Sequence, residues 1–88
     1  MKIIVSGKNI NLTKAIKDNV TEKCSRLEQH YDFIQEIHVF LKVEKNPRIA
    51  ESHVAEATVH VNGAVIRVEK ASENLYASVD KLVEAIDR

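Results

Sequence analysis

From Ala55 to Lys70 the chain reads AEATVHVNGAVIRVEK, two β-rich runs around Asn62-Gly63. Asn-Gly is the commonest filling of a two-residue turn because both residues tolerate positive φ, so the pattern predicts a β-hairpin with a type I′ turn. Closed on two residues, the hairpin sets Val61 against Ala64, Val59 against Ile66 and Ala57 against Val68 on one face. The other face pairs His60 with Val65, Thr58 with Arg67 and Glu56 with Glu69. Side chains alternate across a strand, so this register makes one dry face and one wet one, and the dry face needs helices over it.

The rest of the chain supplies them. Lys2 to Ser6 alternates as a first strand with Ile3 and Val5 inward and Gly7 at its end. Thr13 is placed to cap a helix running to about His30, on which Ile16, Val20, Cys24, Leu27 and Tyr31 fall in one sector. Phe33 to Val43 reads as a second strand, with Ile37, Val39, Leu41 and Val43 inward and His38, Phe40 and Lys42 outward. After a polar loop over 44–52 come strands over 53–61 and 64–71. A closing helix over 73–88 has Ser72 as its expected cap and Leu75, Val79, Leu82, Val83 and Ile86 on one face.

The order β-α-β-β-β-α limits the topology. A strand, helix and strand in succession favour a parallel pair with a right-handed crossover, and the two short connections that follow favour antiparallel neighbours. The expectation is an α+β fold: a four-stranded mixed sheet in the order 1-2-3-4, strands 1 and 2 parallel, with two parallel helices on one face. Without its first strand this is the α-β-β-β-α layout of double-stranded RNA-binding domains. No strand follows the second helix, which counts against an RRM that stacks bases on paired strands.

Eighty-eight residues, 44% of them hydrophobic and 30% charged, suit a single domain over 1–88. The helical pattern is still running at Arg88, so the domain also fits as the amino-terminal part of a longer chain. No apolar run is long enough to span a bilayer, and no membrane partner is expected. One cysteine excludes an internal disulfide framework and fits a reducing compartment. Two glycines cannot build the usual phosphate-cradling loops, and no nucleophile elbow, HExxH or Ser/His/Asp spacing occurs, so neither an enzyme nor a cofactor is expected. One register that keeps the second and third strands in phase can place His38 opposite His60 on the wet face. Two histidines without a third ligand read as a solvated pair, not a metal site.

Thirteen basic and thirteen acidic residues cancel, so any nucleic-acid surface must come from local clustering. On the first helix Asn19, Lys23, Arg26 and His30 recur along one flank of the apolar stripe, with Glu22 nearby. On the second, Lys81 and Arg88 share a flank with Ala77, Ser78 and Ala85. Lys8 after the first strand and Lys45 and Arg48 in the loop are further candidates for phosphate contact. The two basic flanks lie on the same rotational side of their helices. Parallel helices therefore cannot present both to the groove between them; one would border the groove and the other an outer edge. A competing reading takes the wet sheet face around Ile4, Phe40 and Val65 as a protein-interaction surface.

Three stretches, TKAIKDNVTEKCSRLEQHYDFI, LKVEKNPRIAESHVAEATVHVNGAVIRVE and SENLYASVDKL, together resemble the ribosome hibernation promoting factors, also called ribosome-associated inhibitor or light-repressed proteins. The resemblance covers essentially the whole chain. It implies a domain that lodges in the decoding region of the small ribosomal subunit, contacts 16S-type rRNA through basic helix residues, and blocks the mRNA and tRNA sites of idle ribosomes without chemistry. The family's basic positions fall on Lys23, Arg26, Lys81 and Arg88. It further implies a cytoplasmic protein, or a stromal one if plastid-borne, and in longer members a second domain, or a second factor, that pairs ribosomes. The Lys/Arg-rich continuation of the second helix usual in the family is absent from this sequence.

Overall fold

The computed structural model describes residues 1–44 and 52–87. Six elements follow in the order β1 (Lys2–Lys8), α1 (Lys14–His30), β2 (Ile34–Val43), β3 (His53–Val61), β4 (Ala64–Ser72) and α2 (Leu75–Ile86). They form one sheet in the order β1-β2-β3-β4, with β1 parallel to β2 and the other neighbours antiparallel. The architecture is the one the pattern predicts.

Both helices cover the dry face. Ile16, Val20, Cys24 and Leu27 of α1 and Val79 and Leu82 of α2 meet Ile37, Val39 and Leu41 of β2 and Ala55, Ala57 and Val59 of β3 in one buried cluster. The small alanines of β3 leave room for α2 to lie close over the middle of the sheet. Cys24 belongs to this packing: burial pushes its thiol up to about 11, far from the thiolate a reactive cysteine needs. Thr13 caps α1 as expected, its hydroxyl accepting from the Ile16 amide at 3.2 Å, and the helix ends where the Tyr31 amide reaches the Leu27 carbonyl at 2.8 Å.

Several local expectations are corrected. Gly7 does not end the first strand; β1 runs on to Lys8, and a Cβ at Gly7 would stand 2.9 Å from Ile10, whose side chain folds back over it. In the hairpin only Gly63 has positive φ, at 79°, and Asn62 does not, which departs from type I′ and meets the requirement of a type II turn. The pairing of β3 with β4 is nevertheless the expected one, Val61 with Ala64 through His53 with Ser72.

Ser72 is not the cap of α2. It is buried at the end of β4, and Asn74 caps the helix by accepting from the Ala77 amide at 2.8 Å. Ser78, assigned to the exposed flank, is also buried: its hydroxyl donates to the His53 carbonyl at 2.6 Å and lies 2.8 Å from the Ser72 hydroxyl. This contact ties the first turn of α2 to the ends of β3 and β4. Ile66 holds its dry-face register opposite Val59 yet is 49% exposed, because it lies near the hairpin tip where α2 gives it little cover.

Candidate nucleic-acid interface

The helices run parallel and in step. Lys23 on α1 pairs with Asp80 on α2, and nearly the same offset later the Tyr31 hydroxyl donates to the Asp87 carbonyl at 2.7 Å. Between them lies an open groove lined on one side by Lys23, Arg26, Leu27 and His30 and on the other by Asp80, Val83, Glu84 and Asp87. The two flanks are therefore split as expected. The basic flank of α1 borders the groove, and Lys81 faces the outer edge, its ammonium 3.4 Å from the Ala71 carbonyl of β4.

That arrangement gathers Lys23, Arg26 and His30 and separates them from the other predicted residues. Lys81 shares a shallow cleft with Lys70, Glu84 and Ala85. Lys8 lies at the far end of β1 from the His30 end of α1, since the amino group of Met1, at the start of β1, bonds Glu28 at 3.1 Å. Lys45, Arg48 and Arg88 lie outside the described residues. Asn19 heads the stripe with its amide oxygen buried and unpartnered among the described residues, so the exposed cationic run begins at Lys23.

The groove is not simply positive. Asp80 holds Lys23, and Glu22 holds Arg26 at 3.2 Å one turn away on α1. Helical phase shows which residues share a flank but not what the next helix sets opposite, so the acidic far wall of Asp80, Glu84 and Asp87 was invisible in the sequence. Lys70 was missed for a different reason. By parity it belongs to the dry face opposite Ala55, but β4 is an edge strand, and there a dry-face position opens to solvent beside α2.

The wet face is a set of polar ties. The Ser6 hydroxyl and His38 Nε2 are 2.8 Å apart, and Lys42 bridges Glu56 at 3.1 Å and Glu44 at 3.6 Å. The expected His38–His60 pair does not form. The regular register from Glu36 to Val43 stands two residues away from that pairing and sets His38 opposite Thr58 and His60 opposite Glu36, its Nε2 3.7 Å from the carboxylate. Phe40 is half-buried between Ser6 and Glu56, and Val65 lies two strands away opposite His60, so the supposed apolar patch is not continuous. Among the described residues no group of three or more His, Cys, Asp or Glu could hold a metal ion, and no helix is long and apolar enough to cross a membrane.

Fold and groove together define an α+β domain of the double-stranded-RNA-binding layout, with an extra parallel edge strand and a charged groove between its helices. The family model described as Sigma 54 modulation protein / S30EA ribosomal protein matches residues 3–88. The chain is 43% identical, over its full length, to a ribosome hibernation promotion factor of Picosynechococcus sp., of which it spans 46%. It is 36% identical to the ribosome hibernation promoting factor of Escherichia coli K12, of which it spans 87%. Among solved structures, the N-terminal domain of Thermus thermophilus Protein Y superposes with a TM-score of 0.83 at 30% identity, over 99% of this chain and 92% of that one. The chain belongs to this family, that of the ribosome hibernation promoting factors.

Proposed function

We propose that this domain silences idle ribosomes by binding rRNA in the decoding region of the small subunit, where it occludes the mRNA and tRNA sites in resting or stressed cells, in the cytoplasm or its organellar equivalent. The observation that carries the reading is the run Lys23, Arg26 and His30 along the mouth of the interhelical groove, in a chain that belongs to the hibernation factor family. Lys70 and Lys81 offer a second cationic point at the β4 edge, and Lys8, Lys45, Arg48 and Arg88 are further proposed contacts. Recognition of this kind reads shape and phosphate positions, with no base code and no catalytic step. In longer relatives a second domain, or elsewhere a second factor, would add ribosome pairing to this binding.

A neutral chain cannot rely on bulk attraction, so its affinity must rest on a few phosphate contacts and fall as salt rises. Binding to isolated small subunits, measured across a salt series, is expected to weaken linearly on a log–log scale. Phe40→Asp, on the opposite face of the sheet, is expected to bind unchanged. Salt-insensitive binding, or loss of binding in Phe40→Asp, would move the interface to the sheet.

A further inference from the structure

β4 is a free edge strand whose charges are arranged to pair with themselves. Its nine residues, Ala64 to Ser72, are centred on Val68. With a two-residue turn the Val61–Ala64 pair is the hydrogen-bonded kind, so even-numbered residues of β4 bond to β3. The amide and carbonyl groups of Val65, Arg67, Glu69 and Ala71 then point out of the sheet, and of these the Ala71 carbonyl takes the Lys81 ammonium at 3.4 Å, a contact that strand pairing displaces. We propose that β4 pairs antiparallel with β4 of a second copy of this chain about a two-fold axis at Val68, joining the two sheets into one of eight strands.

The register follows from charge and length. Centred on Val68, all nine residues pair, and Arg67 stands opposite Glu69 of the partner subunit while Glu69 stands opposite the partner's Arg67. Moving the axis one residue either way sets Arg67 against the partner's Arg67 or Glu69 against the partner's Glu69, and like charges directly opposite are unfavourable. The edge charges that normally repel a neighbouring strand thus act here as a key for one register.

Two features of the single chain leave these groups available. Arg67 is exposed and makes no ion pair among the described residues. Glu69 is paired across the sheet with another acid, Glu56, which Lys42 holds from the far side at 3.1 Å. The partner's Arg67 sets a counter-charge directly opposite Glu69. Pairing also covers apolar surface: Val65, 53% exposed, meets the partner's Ala71, and Ile66, 49% exposed, meets the aliphatic stem of the partner's Lys70. On the β4-side flank of α2, Ala77 and Ala85 add little bulk over the edge. A single strand pair is a small interface, so the association belongs to the weak, concentration-dependent class.

Sedimentation equilibrium of the purified protein from micromolar to millimolar concentration tests this. The wild type is expected to dimerise. Arg67→Glu and Glu69→Arg, each turning two attractive pairs into two repulsive ones, should each weaken the dimer about tenfold or more. The double variant Arg67→Glu/Glu69→Arg should restore it, and circular dichroism should show all three folded, since both positions are exposed. A monomer at every concentration, single variants that dimerise like the wild type, or a double variant that fails to recover would each overturn the proposal.

Discussion

Changing Lys23, Arg26 and Lys81 together to glutamate is expected to abolish co-sedimentation with small ribosomal subunits at physiological salt while leaving the thermal melt nearly unchanged. Lys23 and Arg26 sit at the mouth of the groove and Lys81 at the β4 edge, and none belongs to the buried cluster. If these cations meet phosphates, the triple reversal should cost on the order of a hundredfold in affinity, and each lost contact should take about 1 off the slope of log affinity against log salt. The ion pairs within the groove give the same account a prediction of opposite sign. Asp80 competes with phosphate for Lys23, so Asp80→Asn should tighten binding by roughly two- to fivefold, the worth of a partly exposed pair. A triple variant that pellets as before, or an Asp80→Asn variant that binds more weakly, would remove the groove from the interface.

Leu82→Ala is expected to produce the largest loss of stability. Leu82 is fully buried where α2 meets the sheet, in the same cluster as Leu27 of α1 and Val59 of β3. Truncating a buried leucine costs about 2–5 kcal/mol, the removed surface plus the cavity left behind. At roughly 0.05–0.15 kcal/mol per residue a domain of 88 residues has only about 4–13 kcal/mol in total, so the change takes a large share. A fall in Tm of at least about 10 °C is expected for a domain of this size. Binding should weaken with it, because α2 sets Asp80 against Lys23 and forms the far wall of the groove. A melt within a few degrees of wild type would mean that the two helices are not held by one shared core.

Much of this was legible because it depends on period alone. The alternation through β3 and β4, the sector from Ile16 to Leu27 and the Thr13 cap are each set by neighbouring residues, and strand order followed from connection lengths. The failures have a common cause in what lies across from a residue. Ser72 and Asn74 are both good caps, and only the length of β4, which draws Ser72 into the sheet, selects Asn74. Alternation fixes which face each residue of β2 takes but is blind to a shift of two residues, and that shift decides that His60 faces Glu36 and not His38. Ser78 reads as a surface residue until the His53 carbonyl is found above it. At the site, sequence found the basic flank of α1 with Glu22 beside it, whereas Asp80, Glu84 and Asp87, which face it across the groove, belong to the neighbouring helix.

The most direct test of the central claim, that the α1 flank faces rRNA in the decoding region, is hydroxyl-radical probing from an iron chelate tethered to this protein on small subunits. Gln29→Cys places the tether on exposed α1 beside Arg26 and His30, and Thr58→Cys places it on the wet sheet face. The native thiol of Cys24 will not compete, because it is buried and burial pushes its pKa up to about 11. Strong rRNA cleavage in the decoding region from position 29, with weak cleavage there from position 58, is the result this account predicts. Cleavage from position 58 alone, or from position 29 only outside the decoding region, would contradict it.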